Sequence, residues 1–406
     1  MVYSHHLHRN TGIVDPLLFS ENSVDSYFWY HGYKTIKNFF IVRKDVIASE
    51  GSTTNFGAKN NWKIPNIADK WGKVQLMFKV GPLTTTGGTF RRFVDFLGYV
   101  AWNYIELAFS TNEVYTIYPE DIWKKYRTML GIEHREAEAE IIASDKSDAE
   151  RDFLATQTQQ MIVDLPFPHC RSTTHWMEIM QLAQEPRITI VWKTLAEIVN
   201  TDGTLPVATL TDVFLRCQYV HFDNDERDNN TYRVEQEDGV IRLFDDFKLE
   251  QSADIPIGTV GEVKIKINNF RTSTKVFSFI VRRKIDLTTP LANNYFGNLQ
   301  RINRFWLEGA DGKIIEPIED LYSRFHMWSL VHESPAGEFL YEYPFGLEPD
   351  NLIDSSGSYN FGNATNITLV IDFGTVPTED ILQVTMMANE YNTHQHVRGD
   401  VQKNFK

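Results

Sequence analysis

"YVHFDNDERD", residues 219–228, closes an apolar run and sets five acidic or amide side chains behind one histidine. Three readings compete for it: a calcium loop, an iron site, or the boundary between two structural units. A calcium loop starting at Asp223 needs Gly at its sixth position for the sharp turn and Glu at its twelfth as bidentate ligand. Asp228 and Val234 stand there instead. As iron ligands, His221 and Asp223 form an HxD pair on one strand face, since residues i and i+2 point the same way. His326 or His332 would have to be the third ligand, and no arginine occurs within 333–345 to hold a cosubstrate carboxylate. A cupin would set HxH before a Glu; "HQHVRGD" (394–400) offers His394 and His396 with only Asp400 behind them. What remains is a strand ending at Phe222 and an acidic turn. Asp223, Asn224 and Asp225 suit it, because their side-chain oxygens satisfy free backbone N–H groups. Arg227 can pair with a neighbouring carboxylate. No catalytic residue, metal or cofactor is expected from this stretch.

On both sides of the turn the pattern is β. "KVQLMFKV" (73–80) alternates with period two, placing Val74, Leu76 and Phe78 opposite Gln75 and Met77. In "EVKIKI" (262–267) Val263, Ile265 and Ile267 face in while Lys264 and Lys266 face out. "YIELAF" (104–109), "RITIVWK" (187–193), "LTDVFLRCQYVHF" (210–222), "KVFSFIVRR" (275–283), "FHMWSLV" (325–331), "ITLVIDF" (367–373) and "ILQVTMMA" (381–388) read as further strands. Short strands separated by Gly, Pro, Asn and Asp predict sandwiches or barrels. "PEDIWKKYRTML" (119–130) predicts a helix, with Pro and two acids at its start and bases later, as the helix dipole prefers. "EHREAEAEIIASDKSDAERDF" (133–153) predicts a solvated insertion containing a helix. The organisation is roughly duplicated about the acidic turn, without letter-for-letter repetition.

Bulk composition agrees. A chain of 406 residues suggests two or three domains, and 13% aromatic content favours pleated, half-buried surfaces. A net charge of −14 with no Lys/Arg-rich run speaks against nucleic acid as a direct ligand. Cys170 and Cys217 fit no zinc spacing and read as buried reduced thiols. Sequons begin at Asn229, Asn363 and Asn366, but neither a signal peptide nor a membrane span is legible, so we expect a soluble protein made inside a cell. "HHLH" (5–8) reads as a flexible terminus. Trp102, Trp123, Trp176, Trp192, Trp306 and Trp328 read as core or interface bulk.

Several stretches, in order, resemble the double jelly-roll major capsid proteins of nucleocytoplasmic large DNA viruses, the iridovirus and phycodnavirus type. They are "TTNFGAKNNWKIPNIADKWGKVQLMFKV" (53–80), "FVDFLGYVAWNYIELAFSTNEVYTIYPEDIW" (93–123), "DLPFPHC" (164–170) and "VTMMANEYN" (384–392). "QYVHFDNDERD" is similar to that family's closing strand and its D-x-x-E-R junction, here Asp223, Glu226 and Arg227, with Asp225 between them. The most specific stretch is "EYPFGLEPDNLIDSSGSYNFGNATNITLVIDF" (342–373), with Pro349, the Ser356-Gly357-Ser358 turn, Asn360 and Phe361. Departures are Thr111-Asn112 where the family has Gly-Gly, "DNNTYR" after the junction, and a poor match over the first 50 residues.

The resemblance implies an all-β chain of two consecutive eight-stranded jelly-roll sandwiches with a few short helices in loops. The expected division is an N-terminal arm (1–20), a first jelly roll (21–223), an acidic junction (224–235), a second jelly roll (236–395) and a C-terminal tail (396–406). It further implies a non-enzymatic homotrimer, pseudo-hexagonal in outline, that tiles an icosahedral shell. Its partners would be neighbouring capsomers and minor capsid or penton proteins, with the inner membrane contacted only indirectly. It would be made in the host cytoplasm and act in the virion capsid. A minor or scaffolding double jelly-roll virion protein is the alternative within the class. A jelly-roll Fe(II)/2-oxoglutarate oxygenase using His221 and Asp223 is the alternative outside it.

Overall fold

A computed structural model describes residues 39–403, except for 50–53, 85–86, 110–113, 129–131, 145, 171–172, 223–234, 236–238, 289–292, 328–338 and 348–355. The junction residues Asp223, Asp225, Glu226 and Arg227, together with His332, Trp328, Pro349 and "HHLH", lie outside the described residues.

The first half contributes β1 (Phe39–Ile47), β2 (Lys59–Lys63), β3 (Lys70–Val80), β4 (Arg91–Phe93), β5 (Trp102–Ala108), β6 (Val114–Ile117), β7 (Gln159–Leu165), β8 (Arg187–Trp192), β9 (Val199–Thr201) and β10 (Leu210–Phe222). The second contributes β11 (Val240–Gln251), β12 (Glu262–Lys266), β13 (Ser273–Arg283), β14 (Arg304–Gly309), β15 (Gly312–Glu319), β16 (Leu340–Pro344), β17 (Tyr359–Asn360), β18 (Thr368–Asp372), β19 (Leu382–Val397) and β20 (Asp400–Lys403). Two four-stranded sheets, β1-β10-β3-β7 and β2-β8-β5-β6, make the first sandwich. The second repeats the same crossover order as β11-β19-β13-β16 and β12-β18-β14-β15, with β17 added to β13 and β20 to β19. Every pairing between these strands is antiparallel, and in each half the first and last long strands lie side by side. That is jelly-roll topology, written twice. The duplication lives in topology, not in letters.

Alternation explains the sandwich interiors. Val74, Leu76 and Phe78 of β3 are core residues, and Met77 on the opposite face is buried as well. Ile265 and Ile267 line the second core with Val263 packed against them, while Lys264 and Lys266 are exposed. Trp102, Trp123, Trp176, Trp192 and Trp306 are all buried. Cys170 and Cys217 are buried free thiols, and burial pushes both up, away from the reactive thiolate.

Four readings change. Phe325–Met327 of "FHMWSLV" are not strand but part of a π-helical turn, Tyr322–Met327. The buried Asp320 carboxylate fixes that turn by accepting from Arg324, Arg301 and the Tyr341 hydroxyl. The insertion after the Pro119–Thr128 helix holds two helices, Ile132–Ile142 and Asp148–Leu154, the latter started by a Ser147/Glu150 capping box. Residues 396–403, expected within a tail, are largely strand, since β19 runs through Val397 and β20 folds back on it. Phe39–Ile47, inside the expected first jelly roll but not singled out as a strand, form β1.

Candidate assembly surface and the seam between the halves

Among the described residues no three His, Cys, Asp or Glu side chains group so as to hold a metal ion. His221 stacks at 4.8 Å on Phe40 of the neighbouring β1, while His326 sits in the second half's π-turn against Tyr322. The structure does not bring these two together. His394 and His396 lie on β19, and both are buried; Asp400 is exposed on β20.

The family-motif residues close the second sandwich. The Ser356 N–H donates to the Tyr391 hydroxyl, 3.2 Å away, and the Ser356 carbonyl accepts from Leu347. Gly357 takes φ +125°, a conformation L-residues rarely hold, and a Cβ there would stand 3.3 Å from the Phe345 carbonyl. Ser358 leads into β17, where Asn360 pairs with Ser273 and its side chain accepts from the Gly362 N–H. Phe361 is buried among Phe270, Phe277, Phe345 and Tyr359. Of these, the Phe361 ring lies in the core and the Asn360 side chain bonds within its own turn.

Two features stand out for interaction. One is β1, which among the described residues is an edge strand paired with β10 and is exposed on both faces. Phe39, Phe40, Ile41, Val42 and Ile47 are all uncovered, Phe40 at 61% and Ile47 at 78%. Such an apolar edge is a template for further association. Sequence reading passed over it because "FFIVRKDVI" alternates poorly, though its run of large apolar residues was a usable signal. Leu321, Tyr322 and Phe325 form a second exposed apolar group, on the other half.

The other feature is the seam. The Pro119–Thr128 helix leaves the first sandwich after β6 and lies on the outer face of the second half's β13, β16 and β19. Consequently every residue of β13 from Thr274 to Arg282 is buried, although a sandwich strand ordinarily shows one face to water. Phe277, Phe279 and Val281 fill the second core, whereas Ile280 belongs to the cluster shared with the first half. The buried outer face carries polar groups, and several are answered from across the seam. Lys124 donates to Ser278 Oγ and Asn389 Oδ1, both at 2.8 Å, and pairs with Glu342 at 3.1 Å. Glu120 accepts from Arg282 at 3.1 Å and from the Tyr295 hydroxyl at 2.8 Å. Trp123 stacks on Phe296 with ring planes 5° apart and centroids 4.6 Å apart. Lys193 of the first half sits 3.6 Å from the Tyr295 ring centroid, and burial pushes its amine down to about 7. Glu120 and Lys124 share a helix face at i, i+4, which was the one sequence signal for a charged seam.

The fold is thus a double jelly roll, with the two sandwiches joined through a buried polar interface. No protein-family model matches the sequence, and no curated protein matches it. Solved structures do. VP54 of the virus PBCV-1 superposes with a TM-score of 0.75 at 14% identity, over 92% of this chain and 98% of that one. The Faustovirus major capsid protein gives 0.71 at 9% identity, over 96% of each chain. A chain in the structure of the Sputnik virophage gives 0.61 at 9%, over 97% and 92%. At such identities the likeness defines the architecture, over nearly the full length of each chain.

Proposed function

We propose that this protein is the major coat subunit of an icosahedral virion, whose work is self-assembly and not catalysis. The observation that carries the reading is the uncovered apolar strand β1 on a chain whose whole described length is a double jelly roll. Two of the structurally similar proteins are capsid proteins by name or setting, with the fold spanning nearly all of their chains. Copies join as a homotrimer, pseudo-hexagonal in outline because each contributes two similar sandwiches. Apolar contacts through β1 and the group around Leu321 and Phe325 hold the trimer, and more polar edges join one trimer to the next. Minor capsid or penton proteins fill the remaining positions, an inner membrane is reached only through them, and synthesis is in the host cytoplasm. The acidic stretch with Asp223, Asp225, Glu226 and Arg227 is the interdomain junction at which the chain divides into its two sandwiches. Native mass measurement with negative-stain microscopy tests the reading. Trimers of hexagonal outline are expected; monomers at micromolar concentration without such particles would overturn it.

A further inference from the structure

Four histidines meet at one end of the seam. His394 and His396 stand on β19, and His169 and His175 come from the segment joining β7 to β8 in the other half; all four are buried. His175 Nε2 lies 2.8 Å from the Leu243 carbonyl of β11, so this contact crosses the seam. Nearby the Ala183 N–H donates to the Gly399 carbonyl at 2.9 Å, also across it. His396 Nδ1 is 3.7 Å from Glu178. Among the described residues His394 has no hydrogen-bond partner on either ring nitrogen, though it is wholly enclosed beside Phe244. His169 Nδ1 also has none, and its Nε2 faces Cys170 Sγ at 3.3 Å.

Charged groups of both halves stand around them. Arg242 of β11 and Lys403 of β20 lie opposite His394 in register, and Lys70 of β3 faces the group from the first half. Glu178 holds Arg242 and Lys70, and Asp246 holds Lys403 at 3.4 Å and Lys248 at 2.9 Å. An imidazolium formed at His394 would be sealed opposite the Arg242 guanidinium with no acceptor among the described residues.

We propose that this histidine cluster is an acid-sensitive latch: protonation of the buried imidazoles parts the two jelly rolls at this end of the seam while each sandwich stays folded. The proposal does not depend on the assembly reading above. Burial pushes His169 down to about 3, with Arg242 adding to the effect, and burial likewise holds His394 well below the ordinary histidine value. In the opened seam both would titrate near 6.5. For His169 the opened state therefore takes up a proton that the closed one refuses from about pH 6.5 down to about 3, and for His394 the same uptake begins as pH falls through about 6.5. Each histidine shifts the balance toward opening by about tenfold per pH unit, and the two together by about a hundredfold. Glu178 titrates elsewhere. Burial raises it, but His396, Arg242 and Lys70 outweigh that and hold it below the usual carboxylate range. Its stabilising effect is complete above about pH 4.5 and is lost only below that, so loosening that begins near pH 6 belongs to the histidines.

Hydrogen–deuterium exchange of the full chain at pH 7.5, 6 and 5, corrected for the intrinsic rate, tests this. Segments 173–183, 240–245 and 391–397 should lose protection as pH falls from 6.5, while β14 and β18 keep theirs. His394→Gln and His169→Gln, neutral at every pH, should each reduce the pH dependence of seam exchange by about tenfold per unit. Uniform loss across both sandwiches, seam segments protected down to pH 5, or Gln variants with the unchanged slope would each overturn the latch. Should a variant fail to fold at pH 7.5, the order of exchange in the unaltered protein decides alone.

Discussion

Lys124 Nζ, on the helix that leaves the first sandwich, lies 2.8 Å from Asn389 Oδ1 on β19 of the second. The same ammonium reaches Ser278 Oγ and the Glu342 carboxylate, so one buried cation ties three strands of one half to a helix of the other. Removing one member of a buried, hydrogen-bonded ion pair typically costs about 3–5 kcal/mol, because the partner charge stays in the low-dielectric interior. Lys124→Met should destabilise the chain by about that amount in a urea titration. Lys124→Met combined with Glu342→Gln should recover part of the loss. Equal stability of the single variant and the unaltered protein would show the seam to be wet, not buried.

The β1 edge should respond differently. Ile41 and Ile47 are exposed, so Ile41→Lys and Ile47→Lys should change folding stability by no more than about 0.5 kcal/mol. The same pair should shift the native mass from trimer to monomer, since a charge on a paired apolar edge blocks association. An unchanged trimer would place the contact on another surface.

The turn at 356–361 gives a graded series. Phe361 is buried in an aromatic cluster, and Phe361→Ala should cost about 3–5 kcal/mol through lost burial and the cavity left behind. Gly357→Ala should cost about 1–3 kcal/mol, because it forces an L-residue to φ +125° against the Phe345 carbonyl. Thermal unfolding of both variants checks the order. A neutral Gly357→Ala would mean that the backbone relaxes to a negative φ.

Lys193 supplies a pH-dependent difference. Its amine, pushed down to about 7 by burial, ordinarily titrates near 10.5. Between these values the unfolded chain binds a proton that the folded one does not, so stability contributed by this residue rises with pH across the window. Relative to Lys193→Met, the unaltered protein should therefore gain on going from pH 7 to pH 10, by up to about 1.4 kcal/mol per unit. A difference that stays flat over that range would place the amine in contact with water.

Much of the fold is legible in single stretches. "LTDVFLRCQYVHF" coincides with β10, Leu210–Phe222, because its β-branched and aromatic residues favour a half-buried pleated strand. The period-two patterns of β3 and β12 identified the faces turned to each core. The turn from Ser356 to Phe361 was identified by resemblance, and the structure supplies its physical content in a positive φ and a buried ring. Less was legible where a segment's partner is remote. "FHMWSLV" looks like a strand from its own residues, yet Asp320 holds its start in a π-turn through arginines at 301 and 324. The seam was hidden for the same reason. Ser278, Arg282, Thr385 and Asn389 carry no local mark of an interface, and only the helix from the other half makes that face buried and polar at once.

Local sequence, then, located most of the strands and, in β3 and β12, the side that meets its own core, because period and propensity act over a few residues. Tertiary structure alone decided which outer faces are covered and which histidines are sealed from water. It also decided that β1 alone of the long strands remains open on both faces among the described residues. Those properties depend on contacts between residues more than a hundred positions apart, such as Lys124 with Asn389, and no window of the chain contains both partners.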